Sequence, residues 1–295
     1  MNKLPVGGSV RFAYAFTFRE LGTIIGLIWV PLVLLAIVNF LPYALGDTMP
    51  SPDINPSAAG TIMLRGIGLW LISVLLSACI YVPVTRQALG LRTGPAFIHI
   101  ALGRAELRLW AAYLLFIAIL MVLFIGFMLA LFASALAAGA TGNKAFIGGV
   151  ILLVAFAGMC GLLYAMTRLG FLIAPVVVAE DKVSFERSWT LTQGNFWRIA
   201  GILFLVTLPP AIIFLSAFAW LLGPELMALF HQALATHMPQ QALAERVNAI
   251  TTSHISTMLG IQLIIAPFSV GLVSSAAAFA YKALAANAPV STPQP

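Results

Sequence analysis

Long apolar runs separated by short polar connections dominate the pattern of this sequence. A helix needs about 20 apolar residues to cross the hydrocarbon core of a bilayer, and six runs reach that length. They cover residues 21–45, 62–84, 109–137, 145–167, 199–222 and 258–284. The pattern predicts an all-α integral membrane protein with about six transmembrane helices, folded as one polytopic domain over residues 1–286.

Short amphipathic stretches lie between the predicted spans. In residues 1–20, Ser9 is a candidate N-cap, and Phe12 and Phe16 fall four apart on one helix face. A second stretch begins at Pro95. Both are predicted to be short interfacial helices that lie on the membrane surface.

The 223–256 segment is the largest polar insertion. Its apolar residues recur at helical spacing in two stripes, and Pro224 after Gly223 suits a helix start. The spacing predicts two further amphipathic helices on the outer surface. The tail, residues 287–295, is rich in small and polar residues and is predicted to be disordered.

Composition excludes a soluble globular domain. The chain is 61% hydrophobic and 8% charged, with a mean hydropathy of +1.03. Soluble domains are about 45–50% apolar and about 25% charged.

The basic residues are distributed unevenly between the two predicted membrane faces. Twelve of the fifteen flank one face, and only Arg65, Lys144 and Arg246 flank the other. Cytoplasmic loops carry the excess of Lys and Arg, so both termini are predicted to be cytoplasmic, in a bacterial inner membrane. Because these residues sit between spans, the net charge of +6 predicts contact with anionic lipid headgroups and not with nucleic acid.

Three segments of the sequence resemble one another. They begin at Phe12, Phe97 and Phe185, and each runs past an arginine into a span. This favours three repeated units, each an interfacial helix followed by a helical hairpin. The alternative is that any cytoplasmic connection rich in arginine and aromatic residues has this pattern.

The central connection, residues 168–198, concentrates charge between two spans. Arg168 has two interpretations: its guanidinium snorkels to the headgroups, which is favoured, or the span continues through Pro175 and buries it beside a partner. The acidic residues here are expected to form a solvated ion-pair cluster. Ser184 is predicted to cap a helix that carries Phe185 and Trp189 on one face, and Trp189 and Trp197 are predicted to be interfacial anchors.

The sequence shows no grouping of residues that indicates catalysis. His231, His237 and His254 share the outer insertion, but their spacing matches no metal-ligand pattern. No catalytic residue, cofactor site or metal site is therefore predicted, and the protein is expected not to be an enzyme.

The order of residues in 168–198 resembles a motif of bacterial six-span inner-membrane proteins of poorly defined function. That group includes the membrane domain attached to some glycerophosphoryl diester phosphodiesterases. The matching residues are Arg168, Pro175, Glu180, Phe185, Arg187, Ser188, Leu191, Thr192, Gly194, Trp197 and Arg198. In those phosphodiesterases a separate soluble domain carries the catalysis, and this sequence is expected to lack it. The resemblance therefore implies a membrane module connected with lipid or envelope maintenance.

Two functions follow as expectations. The first is a non-enzymatic membrane protein that supports the lipid phase or other membrane proteins. The alternative is a transporter or channel for a lipid-like or small molecule. A polar cavity lined by Arg168 or Asn39 would favour transport, and a dry bundle with an exposed apolar groove would favour the supporting role.

Overall fold

The computed structural model describes residues 3–44, 56–92, 102–139 and 144–286. Within these ranges the chain is helical and contains no β-strand. The helices are α1 (Val6–Arg19), α2 (Leu21–Ala44), α3 (Pro56–Leu89), α4 (Arg104–Gly139), α5 (Lys144–Ala165), α6 (Ile173–Glu180), α7 (Phe185–Thr192), α8 (Phe196–Thr236), α9 (Gln240–Ser253) and α10 (Ile255–Ala285). A five-residue π-helix, Met166–Gly170, follows α5 directly.

Six helical stretches are long and apolar enough to cross a membrane. They are α2, α3, α4, α8, α10 and the run from α5 through α6, so the predicted all-α, multi-pass architecture is confirmed. The fourth stretch extends to Glu180 and not only to residue 167, because the helical path continues through the π-helix.

The 223–256 insertion differs from the prediction in its first half. Helix α8 is continuous for 41 residues through Gly223 and Pro224, so the first of the two amphipathic helices is the end of α8. A proline removes one backbone hydrogen bond, which a long helix tolerates. The second helix is confirmed as α9, which follows a turn at His237.

Helix α1 packs on protein. Ser9 does not cap it, because the helix begins at Val6 and the Ser9 hydroxyl donates to the Pro5 carbonyl one turn earlier at 2.9 Å. Ser9, Ala13 and Thr17 form a buried face, and Ser275 of α10 donates a long 3.4 Å hydrogen bond to the Ala13 carbonyl. Helix–helix packing therefore holds this helix, in addition to any contact with lipid.

Small residues let α10 approach its neighbours closely. A Cβ atom built on Gly271 would lie 2.9 Å from both Ile24 of α2 and Thr17 of α1. Ser275 follows one turn later and is also buried. Small residues at this spacing are the usual means by which membrane helices bring their backbones together.

The proline pair in α8 has a specific partner in α1. Pro209 has no N–H to donate to the carbonyl of Leu205, and the hydroxyl of Tyr14 donates to that carbonyl at 3.0 Å. Desolvation by burial raises the pKa of the Tyr14 phenol, which keeps it a donor. The tyrosine thus satisfies a backbone group that lipid cannot.

Helices α4 and α5 form a hairpin with little cover from the rest of the chain. In the most apolar 18 residues of each of these two spans, no residue is buried. The Phe127 ring of α4 lies directly against Gly158 of α5.

Three predictions concern residues outside the described ranges. They are the interfacial helix from Pro95, the disordered tail at 287–295, and part of the second of the three similar segments. The predicted threefold repeat stays a prediction.

Candidate functional site

The π-helix places Arg168 inside the protein. Its side chain is 6% exposed, so the favoured interpretation that it snorkels to the headgroups is wrong. The helical path continues past Arg168 to Pro175, as the other interpretation expected. Helix α7 then folds back over Arg168. A buried guanidinium needs partners for its donors, and α7 supplies most of them.

Three neutral groups accept hydrogen bonds from the Arg168 guanidinium. Nη1 donates to the Tyr164 hydroxyl at 2.8 Å, Nη2 donates to the Trp189 carbonyl at 2.7 Å, and Nε donates weakly to Thr192 Oγ1 at 3.4 Å. The guanidinium carbon also lies 3.8 Å from the centre of a Trp189 ring, which is a close cation–π contact. Two acidic residues of the connection pair with other cations: Glu180 with Arg187 and Lys182, and Asp181 with Arg108.

Hydroxyl groups of α7 bind the backbone of the π-helix. Ser188 Oγ lies 3.1 Å from the carbonyl oxygens of both Arg168 and Leu169, and Thr192 Oγ1 lies 3.3 Å from the Arg168 carbonyl. Both side chains are buried. We call Tyr164, Arg168, Ser188, Trp189 and Thr192 the Arg168 cluster.

A second group of motif residues meets at the end of α6. Arg187 Nε donates to Glu180 at 2.9 Å, and the Tyr281 hydroxyl of α10 donates to the same carboxylate at 3.0 Å. Lys182 lies 3.6 Å away. Pro175 is buried in the first turn of α6, where the missing N–H removes no helical hydrogen bond. Glu180 thereby connects α6, α7 and α10.

The last part of the motif holds the N-terminal segment. Gly194 has a φ of 74°, which a side chain would disfavour, and it ends α7 so that α8 begins two residues later. The buried Asn195 accepts a hydrogen bond from the Leu4 N–H at 3.0 Å, and Arg198 donates to the Leu4 carbonyl at 3.1 Å. The motif therefore binds the residues that precede α1.

The structure shows where the predicted cap, Ser184, and the predicted anchors, Trp189 and Trp197, lie. The Ser184 cap is confirmed, since its hydroxyl accepts a hydrogen bond from the Arg187 N–H at 3.1 Å. Trp197 is 83% exposed and touches the Phe196 ring, so it stands apart from the Arg168 cluster. The carbonyl and the ring of Trp189 contact Arg168, and the rest of the residue is partly exposed.

Sequence reasoning missed Glu106, which is buried in the first turn of α4. Its carboxylate accepts a hydrogen bond from the Gly103 N–H at 3.0 Å and lies 3.7 Å from Arg86 of α3. Glycine followed by glutamate three residues later at a helix start is half of a capping box, and that signal was readable. Arg108, two residues further along, pairs with Asp181.

Comparisons with known proteins give no family. No protein-family model, no curated protein and no solved structure matches this chain. The resemblance to the membrane domain of glycerophosphoryl diester phosphodiesterases therefore stays a prediction.

Two adjoining cavities open between the helices. One, of about 510 Å³, lies among α3, α4, α5, the π-helix, α6, α8 and α10, and its lining residues include Thr85 and Ser274; we call it the Thr85 cavity. The other, of about 430 Å³, lies among α2, α3, α8 and α10, and both are lined by Tyr81 and Val273. Neither Arg168 nor Asn39 lines them, so they are not the polar cavity that would favour transport.

The described part of the chain brings together no three His, Cys, Asp or Glu side chains in a metal-binding arrangement. Of the outer histidines, His254 instead lies 3.0 Å from Glu225 of α8. This contact fixes the α9–α10 junction against α8.

Proposed function

We propose that the chain is a non-enzymatic supporting protein of a bacterial inner membrane, with both termini in the cytoplasm, that helps to maintain the lipid phase of the envelope. The observation that carries this proposal is that the motif's polar groups bind other parts of the same chain. Arg168 donates hydrogen bonds to Tyr164, Trp189 and Thr192, and the Glu180 carboxylate accepts hydrogen bonds from Arg187 and Tyr281. These contacts hold helices of the chain together.

Exposed basic side chains support contact with anionic lipids. Arg11 and Arg19 project from α1, and Lys182 projects from the α6–α7 turn. All three belong to the predicted cytoplasmic side, together with the exposed ring of Trp197. Basic side chains near a surface of anionic lipid each add about 1 kcal/mol of attraction, and tryptophan prefers the same depth.

The orientation is tested by reporter fusions. An enzyme reporter that works only in the cytoplasm, fused after residue 286, is expected to be active, and the same reporter inserted at residue 240 in α9 is expected to be silent. Activity at residue 240 would overturn the proposed orientation.

The role is tested by removing the gene from its bacterium. We expect a reproducible change in inner-membrane lipid composition or envelope permeability, restored by the wild-type chain. Gentle purification with mass spectrometry of co-purifying molecules separates the two forms of support: a stoichiometric protein indicates an accessory subunit, and a lipid indicates action on the lipid phase. Unchanged lipids, permeability and co-purification would refute the proposal.

Transport of a lipid-like molecule is the second candidate. The two adjoining cavities are apolar, so they do not favour transport of a polar molecule, but they offer space between the spans for a hydrocarbon chain. Transfer of a labelled lipid between the leaflets of proteoliposomes, above the rate in protein-free vesicles, would favour this candidate over the supporting role.

A further inference from the structure

Two buried hydroxyls in the Thr85 cavity lack hydrogen-bond partners. Thr85 is 0% exposed and Ser274 is 3% exposed, and neither side-chain oxygen has a partner among the described residues. A buried hydroxyl without a partner destabilises the folded protein, because it loses its hydrogen bonds to water and gains none. Such groups are rare in folded proteins and each requires an explanation.

Other hydroxyls on the long helices are satisfied in the usual way. Thr167, which lines the same cavity, donates to the Leu163 carbonyl one turn earlier at 2.8 Å. Ser77, Thr207 and Ser269, which line the adjoining cavity, also donate to carbonyls of their own helices. Thr85 and Ser274 depart from this pattern, and both line one space. Thr17 of α1 is also buried without a hydrogen-bond partner among the described residues, but it does not line that space.

The rest of the cavity wall is apolar and uncharged. The described lining residues include Phe116, Leu163 and Leu203, and none is Asp, Glu, Lys, Arg or His. Tyr81 and Tyr113 add two phenol rings in an edge-to-face pair with centres 6.4 Å apart. A ligand bound here meets hydroxyl groups and hydrocarbon, with no charge to balance an ionised group.

We infer that the Thr85 cavity binds a single-chain lipid with an uncharged polar group, such as a monoacylglycerol. The ligand's hydroxyl or carbonyl pairs with Thr85 and Ser274. Its hydrocarbon chain passes Tyr81 and Val273 into the adjoining cavity, which Phe214 and Ile265 line. The volume of about 510 Å³ falls within the range of about 300–1,000 Å³ that small-molecule sites occupy.

This inference goes beyond the supporting role. If the lipid binds but gene removal does not change membrane lipids, the binding site is supported and the supporting role is refuted. If gene removal changes membrane lipids but the lipid does not bind, the role is supported and the binding site is refuted.

The test uses a monoacylglycerol with a diazirine in its acyl chain. The purified full-length chain is placed in nanodiscs that contain this probe, irradiated, and digested for mass spectrometry. We expect labels on lining residues such as Phe214 and Ile265, and a severalfold loss of these labels when unlabelled monoacylglycerol competes. A fatty acid of the same chain length is expected to compete at least fivefold less well, because its carboxylate meets no cation.

The variants isolate the two hydroxyls. Thr85→Val with Ser274→Ala is expected to lose most of the cavity labels, and Thr167→Val is the matched control because its hydroxyl already has a partner. Without probe, the double variant is expected to melt at or above the wild-type temperature, since it removes two unsatisfied groups.

Three results would overturn the inference. They are labels spread over the exposed faces of α4 and α5 with none in the cavity, equal competition by the fatty acid, and full labelling of the double variant. The competition experiment uses wild-type protein, so it remains decisive if a variant fails to fold.

Discussion

Helices α10 and α4 show opposite relations between hydropathy and burial. Over its most apolar 18 residues, α10 buries 56% of its positions in the protein, and α4 buries none. Yet α4 has the highest mean hydropathy of the six spans, and α10 has the lowest. In a soluble protein the order would be reversed.

The surrounding solvent explains the difference. Lipid tails are as apolar as leucine, so burying the leucine- and phenylalanine-rich surface of α4 gains little over leaving it in lipid. Helix α10 carries Gly271, Ser274 and Ser275, whose small size permits close backbone approach, and the Ser275 hydroxyl donates to the Gly271 carbonyl within the helix. Tight packing in this chain follows small and polar residues.

The largest effect is expected from filling the closest contact of α10. Gly271→Leu would force a side chain into Ile24 and Thr17, which are 2.9 Å from the first added atom. Overpacking of this kind costs about 1–3 kcal/mol or prevents folding. The matched control is Gly126→Leu in α4, where an added Cβ atom meets nothing within 4 Å.

Fluorescence-detected gel filtration after heating measures both glycine variants. Gly271→Leu is expected to lose its monodisperse peak at a lower temperature than wild type, and Gly126→Leu to keep it. If both variants lose the monodisperse peak at the same temperature, α10 is no more sensitive to an added side chain than α4.

The second effect concerns the Arg168 cluster. Arg168→Lys keeps the charge but cannot reproduce the forked contacts to Tyr164, Trp189 and Thr192, so it is expected to lose about 1.5–3 kcal/mol of stability. Arg11→Lys, on the exposed face of α1, is the control and should be neutral. A midpoint of thermal unfolding that is unchanged in Arg168→Lys would mean that only the charge matters at this position.

The third effect tests the contact between α1 and α8. Tyr14→Phe removes the donor to the Leu205 carbonyl and is expected to cost about 1 kcal/mol. Pro209→Ala restores an N–H that the same carbonyl accepts within the helix. In a double-mutant cycle of thermal stabilities, Tyr14→Phe should therefore cost less in the Pro209→Ala background. Strictly additive effects would show that the hydroxyl does not compensate for the proline.

The smallest effect is expected on the α4–α5 hairpin. Leu152 and Leu153 are both 72% exposed, so changing each to Ala should alter stability by less than about 0.5 kcal/mol in detergent or nanodiscs. A loss above about 1 kcal/mol, measured by the same thermal assay, would mean that another protein chain covers this hairpin.

Hydropathy was sufficient to predict the number and approximate limits of the spans, because lipid demands long helices with satisfied backbones. It did not predict that α8 continues through Gly223 and Pro224, because turn signals derived from soluble proteins overstate how readily a long helix ends at proline. The burial of Arg168 depends on α7 folding back over it, which is a tertiary event. The Ser184 cap is local, and the sequence predicted it correctly.

Long-range partners account for the missed site residues. Asn195 binds Leu4, which is 191 positions away, and Tyr281 binds Glu180, which is 101 positions away. Neither residue has a local pattern that distinguishes it from an ordinary interfacial side chain.

The packing of α1 against α10 has a consequence for biosynthesis. Ser275 and Ala13 are in contact across 262 positions, so α1 is translated well before the helix that covers its small-residue face. Until α10 is inserted, Thr17 and its neighbours face lipid or a transient partner. Nascent chains that stop short of α10 are therefore expected to be substrates for membrane quality-control proteases.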